Sequence, residues 1–188
     1  FLSPIVCFIF VLAYGYYNLY LHPETPKKQP VKISVIQGNI PQELKWNPLS
    51  KSYIVNKYLD ISRAATKEEP ELIIWPEAAL PVVLEEEPDF FSPVGEFAEK
   101  ANTPILLGSI TERSGLYYNS AVLVSAQGKI SQRYDKLHLV PFGEYIPLRK
   151  VLSFMDTIAP IGDIERGKDY TVFDDPDKFS VLICFEDF

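Results

Sequence analysis

A thiol, a carboxylate and an ammonium stand just past three strand-like runs of this 188-residue chain, and together they could carry covalent catalysis at a carbonyl carbon. Cys184 follows the apolar residues Val181, Leu182 and Ile183, and the chain then turns acidic at Glu186 and Asp187. Glu77 follows Leu72, Ile73, Ile74 and Trp75, with Pro76 ending the run and leaving the carboxylate at its tip. Lys136 follows Tyr134 and Asp135, downstream of an apolar run at 121–124. A cysteine thiol with an ordinary pKa of about 8.5 is only a few per cent ionised at pH 7, so its attack benefits from a nearby base and cation. A carboxylate can take the thiol proton, and an ammonium can stabilise the thiolate and the oxyanion that develops at the attacked carbonyl.

Glu77, Lys136 and Cys184 lie 59 and 48 residues apart, so only a sheet that gathers strand ends can bring them together. Each also has a plainer reading: Cys184 as an inert thiol in a buried core strand, Glu77 as a helix-start carboxylate, Lys136 as a solvent-facing charge, and Trp75 as a core anchor. Residues 31–37 are strand-like by β-branched content, and Gly38 to Pro41 punctuates them. Residues 50–67 carry Tyr53, Ile54, Tyr58 and Ile61 at helical spacing, and 90–100 form a second amphipathic helix. Residues 105–107, 121–124 and the run into Cys184 read as strands, with Gly115 and Gly128 in turns. This alternation predicts an α/β layered sheet. An apolar central strand ending at Cys184 would leave an edge and a face uncovered, which predicts a domain cut short there.

The first 21 residues contain no charge and would make a helix about 32 Å long, matching the roughly 30 Å hydrocarbon core of a bilayer. Tyr14, Tyr16, Tyr17 and Tyr20 gather at one end, where an aromatic belt would lie. The basic start and small-residue close of a cleaved signal peptide are both missing. Residues 1–22 are therefore expected as a transmembrane helix, with a buried core helix or an atypical signal segment as alternatives. Residues 23–30 form a Pro-rich connector and 31–188 one domain. All 18 Lys and Arg and all 25 Asp and Glu lie after Pro23, for a net charge of −7. That balance argues against a nucleic-acid partner. Two cysteines make no disulfide framework. No cluster has metal-ligand spacing, so His138 reads as structural, and no cofactor or metal is expected.

Three motifs, WPEAALP at 75–81, YDKLHLVPFGEY at 134–145 and LICFED at 182–187, together with Gln37-Gly38-Asn39 and Lys45-Trp46, resemble the nitrilase, or carbon-nitrogen hydrolase, superfamily. The resemblance implies an αββα sandwich, incomplete in this chain, and a Glu-Lys-Cys triad at Glu77, Lys136 and Cys184. It is strongest to the membrane-bound branch, the apolipoprotein N-acyltransferases of the bacterial inner membrane. Their nitrilase-like domain faces the periplasm and moves an acyl chain from a membrane phospholipid to the N-terminal amine of a diacylglyceryl-cysteine lipoprotein. By that resemblance residues 1–22 are a late span of a multi-span bundle, and 31–188 are the N-terminal part of the catalytic domain.

The same resemblance makes Glu144, Phe185 and Glu186 supporting residues, with Glu144 orienting Lys136 or the incoming amine. Phe185 departs from the tyrosine expected after the nucleophile, which removes any hydrogen bond from that hydroxyl. Residues 139–161 are unusually apolar for a stretch carrying Pro141, Gly143, Pro147 and Pro160. They read as a membrane-facing lip in which Phe142 and Tyr145 meet acyl chains and Arg149 and Lys150 meet phospholipid phosphate, or else as an ordinary apolar loop covering the sheet. Trp46 is a candidate for the acyl entrance, with a core or surface tryptophan as the alternative. Two other functions fit the sequence: a membrane-tethered amidase that passes its thioester to water, and a non-catalytic anchored interaction domain.

Overall fold

The computed structural model describes residues 2–21, 30–45, 47–141, 143–145 and 164–187. The chain divides into two compact units, Phe1–Pro30 and Val31–Phe188. In the first, α1 (Leu2–Tyr16) runs into a π-helical turn at Tyr17–Leu21. The stretch Pro4–Leu21 has a mean hydropathy of 1.6 and is long and apolar enough to cross a membrane. It carries no charged residue, and the amide of Asn18, its one side-chain amide, donates to the Tyr14 carbonyl at 2.9 Å.

The second unit is built on a mixed sheet. Strands β1 (Ile33–Val35), β2 (Leu72–Ile74) and β4 (Ile105–Arg113) run parallel, in the order β1-β2-β4. Antiparallel β5 (Leu116–Val124) and β6 (Ile130–Asp135) then extend the sheet. Strand β4 is long enough to hold two partners on one edge. Strand β2 pairs with its beginning, Ile73 against Ile105, and β3 (Leu80–Val83) pairs farther along, Leu80 against Ser109. Between β2 and β3 the chain leaves the ladder and returns to it, and Glu77 sits on that excursion.

Alternation along the strands divides the core in two. Ile73, Trp75, Leu107 and Val122 pack under helices α3 (Lys51–Ala65) and α4 (Pro88–Ala101), against Ile54, Leu59, Val94 and Phe97. Leu72, Leu106, Ala121, Leu123 and Tyr134 face the other way and are covered by Phe173 and Ile183. Trp75 is a core anchor: its Nε1 donates to Ser62 Oγ at 2.9 Å, and its ring stacks on Tyr58 at 5.0 Å.

The architecture is the α/β layered sheet expected, an incomplete αββα sandwich preceded by an apolar helix, but three local readings differ. Residues 181–183 form no strand. They cross the second face of the sheet, with Ile183 buried and Leu182 58% exposed. Ile183 packs in the core cluster on that face, with Val181 against it. Cys184 is consequently an exposed thiol and not a core one. Strands β3 and β6 were not anticipated, and Lys136 follows β6 directly.

Candidate active site

Glu77 is held by the geometry of the excursion between β2 and β3. Gly108 of β4 lies beneath it: a Cβ there would come within 2.7 Å of Glu77 Cα and 2.6 Å of Ala78 N. Ala78 adopts a left-handed φ of 46°, which bends the chain back into β3. Lys45, at the end of the short helix α2 (Gln42–Lys45), donates to the Glu77 carbonyl at 3.1 Å. The Glu77 carboxylate remains 39% exposed.

Lys136 is 1% exposed, so its charge must be matched inside the protein. Its Nζ lies 2.9 Å from Glu144 Oε2 and 3.1 Å from Glu144 Oε1, and 3.8 Å from Glu77 Oε1. Its backbone is tied on both sides, with Lys136 N donating to Asn119 O and Gly167 N donating to Lys136 O, each at 2.9 Å. Glu144 Oε2 also accepts from Val140 N at 2.8 Å. One ammonium thus faces two carboxylates, a net charge of −1 for the trio.

Cys184 opens a 3₁₀ turn, Cys184–Asp187, and has a left-handed φ of 58°. A non-glycine residue in that region stores strain of about 1–3 kcal/mol, which the surrounding structure must over-determine. Glu186 supplies that restraint. Its side chain is 1% exposed. Its Oε1 accepts from Leu137 N at 2.6 Å and His138 N at 2.9 Å, and its Oε2 accepts from Ile183 N at 2.9 Å. The Tyr134 hydroxyl donates to both oxygens, at 2.9 and 2.8 Å. One carboxylate therefore ties the residues after Lys136 to the residue before Cys184. Burial alone would raise the Glu186 pKa, but these donors together hold it below the usual carboxylate value. Burial, reinforced by the Glu186 charge, pushes the Tyr134 hydroxyl well above its usual value.

Glu77 and Cys184 line a single cavity of about 270 Å³, walled by Ile74, Leu106, Asn119 and Leu182 among others. Asn119 and Gly108 are site-building residues absent from the expectations above. An asparagine between tyrosines and an apolar run, in a strand, was the available signal, and only the fold identifies what it touches. Its Nδ2 donates to Glu77 Oε1 and to Glu144 Oε1, both at 2.8 Å.

The other candidates are more dispersed. Tyr145 is partly buried and lines a different cavity, with Leu137 and His138. Phe185 is 61% exposed. Trp46, Phe142, Arg149 and Lys150 lie outside the described residues, as does most of the apolar lip at 139–161. His138 contributes its backbone N–H to Glu186. Among the described residues, no group of three or more His, Cys, Asp or Glu is placed to hold a metal ion.

Residues 32–188 match the carbon-nitrogen hydrolase family. The chain is 38% identical over 189 residues to an apolipoprotein N-acyltransferase of Geobacter metallireducens, covering 97% of this chain and 36% of that protein. It is 34% identical over 169 residues to the protein of the same name from Methylococcus capsulatus, covering 86% of this chain and 32% of that one. It thus spans about a third of the length of these relatives. An amidase from Nesterenkonia sp. superposes with a TM-score of 0.60 at 16% identity, covering 86% of this chain and 58% of the amidase. A mutant of the amidase from Nesterenkonia sp. AN1, with the same TM-score and identity over 85% of this chain and 58% of its own, carries the acetamide moiety of fluoroacetamide covalently bound at its active-site cysteine. These superpositions establish the fold, and the family match over 32–188 establishes the lineage: this chain belongs to the carbon-nitrogen hydrolase family.

Proposed function

We propose that this chain is the catalytic part of an acyltransferase that moves an acyl chain from a membrane phospholipid, through a thioester on Cys184, to the N-terminal amine of a diacylglyceryl-cysteine lipoprotein. The observation that carries the reading is the meeting of Glu77 and Cys184 on one cavity, with the buried Lys136 ammonium 3.8 Å from the Glu77 carboxylate. The apolar helix at Pro4–Leu21 and the similarity to proteins named apolipoprotein N-acyltransferase support the choice of lipid substrates.

In the first half-reaction Glu77 takes the Cys184 proton and the sulfur attacks the ester carbonyl. The C–S bond forms, the ester C–O bond breaks, and Glu77 returns the proton to the departing lysophospholipid oxygen. Lys136 stabilises the oxyanion, with Glu144 holding the ammonium in place. In the second, a neutral amine attacks the thioester, C–N forms and C–S breaks, and the amine proton passes through Glu77 to the Cys184 sulfur. Residues 1–22 span the inner membrane, 23–30 connect, and 31–188 belong to a domain on the periplasmic side. The superposition on amidases favours one second reading, in which water takes the place of the amine.

The test uses the purified full-length membrane protein with radiolabelled phosphatidylethanolamine and a diacylglyceryl-cysteine peptide. Label on the peptide amine, lost with Cys184→Ser, is the expected result. Release of free fatty acid without labelled peptide would assign a hydrolase instead.

A further inference from the structure

Cys184 and Glu77 share a cavity whose walls are of two kinds. Alternation along β5 places Asn119 and Ala121 on the same face of the sheet. At Asn119 the wall is polar, because its Nδ2 holds the Glu77 carboxylate. Ala121 stands opposite Gly108 of β4, so that rung of the ladder carries a single methyl group, and the cavity lies along it. Leu106, with Ile74 of β2, continues the wall, and Val181 and Ile183 cover it. None of these last four residues, nor Ala121, has a polar atom in its side chain.

A cavity with a nucleophile at its polar end and hydrocarbon along the rest sorts the parts of an acyl donor. Glycerol, phosphate and headgroup would give up water there without a hydrogen bond in return. An acyl chain gains a factor of about four for each methylene it buries. We infer that the apolar end of this cavity seats the acyl chain of the donor, with Ala121 and Ile74 setting how much of the chain it takes, an assignment that rests on the transferase reading above. The volume of about 270 Å³ falls just below the roughly 300–1,000 Å³ of cavities that enclose a drug-sized ligand. It therefore takes the carbons nearest the carbonyl, fewer than about ten if each fills the space of one water molecule. The rest of a long chain passes out by Leu182, which lines the cavity and is 58% exposed.

The test is acylation of the full-length protein by p-nitrophenyl esters of straight-chain acids, from acetate to dodecanoate. The C–S bond forms, the ester C–O bond breaks, and the thiol proton passes through Glu77 to the departing p-nitrophenol oxygen, whose release gives the rate. For the wild type, kcat/KM should rise about fourfold per added methylene and then level off between about six and ten carbons. Ala121→Leu fills the cavity and should bring the plateau about three carbons earlier, whereas Ile74→Ala enlarges it and should delay the plateau by about three carbons. Each profile is normalised to that protein's own acetate rate, so a general loss of activity moves neither plateau. Ile74 is only partly buried, which makes its truncation the milder change, and thermal unfolding of both variants controls for folding. A wild-type profile with no dependence on chain length, or plateaus that stay in place or shift the same way in both variants, overturns the assignment while leaving Cys184 as the acyl carrier. Failure of the wild type to form an adduct on Cys184 with any ester, read from the mass of the peptide containing it, overturns the transferase reading and the acyl seat with it.

Discussion

Gly108 and Glu77 are packed so closely that a single methyl group on Gly108 would lie 2.7 Å from Glu77 Cα. That contact lets the chain between β2 and β3 cross directly over β4 and deliver the carboxylate to the cavity. Gly108→Ala must push residues 76–78 away from the sheet. Expected costs are about 1–3 kcal/mol of stability from overpacking and a roughly 100-fold loss of activity from displacing Glu77, the proposed base, by about 1 Å. Denaturant melts and initial rates, measured on the same preparation, check both.

Glu186→Gln should destabilise the second unit by about 2 kcal/mol, the scale of hydrogen bonds to a charged acceptor. The amide nitrogen would face donors at Leu137, His138 or Ile183 and could accept from none of them. Activity should fall further than stability at temperatures where the variant remains folded, because the tie between the Lys136 and Cys184 segments is loosened. Paired denaturation and rate measurements would show this.

The pH dependence of stability has two arms. Glu186 titrates below its unfolded value, so its contribution is complete above about pH 4.3 and is lost as pH falls through the lower folded-state pKa. Tyr134 titrates above its unfolded value, so its contribution is complete below about pH 10 and is lost as pH rises toward the higher folded-state pKa. Tyr134→Phe should shrink the alkaline arm, to which Tyr58, also raised by burial, still contributes, and cost about 1 kcal/mol at neutral pH through one lost hydroxyl donor. Melts from pH 3 to pH 11 of the wild type and this variant would resolve the two arms.

Lys136→Met would leave Glu77 and Glu144 facing each other without their shared cation. Breaking such a buried pair typically costs about 3–5 kcal/mol. Pairing it with Glu144→Gln, which removes one of the two opposed charges, should recover part of the stability but none of the activity. Recovery of turnover in the double variant would contradict the role given to Lys136.

Much of this was legible from residue order because punctuation is local. Pro76 marks the end of a strand wherever the sheet lies, and a continuous apolar run at 72–75 survives any topology. The misreading at 181–183 has the opposite cause. Three apolar residues and a thiol read alike as a strand and as a stretch lying across a sheet face, and here Ile183 is buried on that face. Strand β3 was hidden by Pro81 inside it, and β6 by its polar residues Ser131, Gln132 and Arg133, which suit a strand at the sheet edge. Asn119 could be found only in three dimensions, because its partners lie 42 and 25 residues away.

The central claim is that Cys184 carries the acyl chain. Incubating full-length protein with a phospholipid of defined acyl length and no acceptor, then digesting at acidic pH, gives the mass of the peptide containing Cys184. The account predicts an increment of one acyl chain on that cysteine, removed by hydroxylamine, absent in Cys184→Ala and strongly reduced in Glu77→Gln. An unmodified Cys184 under conditions where the same preparation releases lysophospholipid would contradict it.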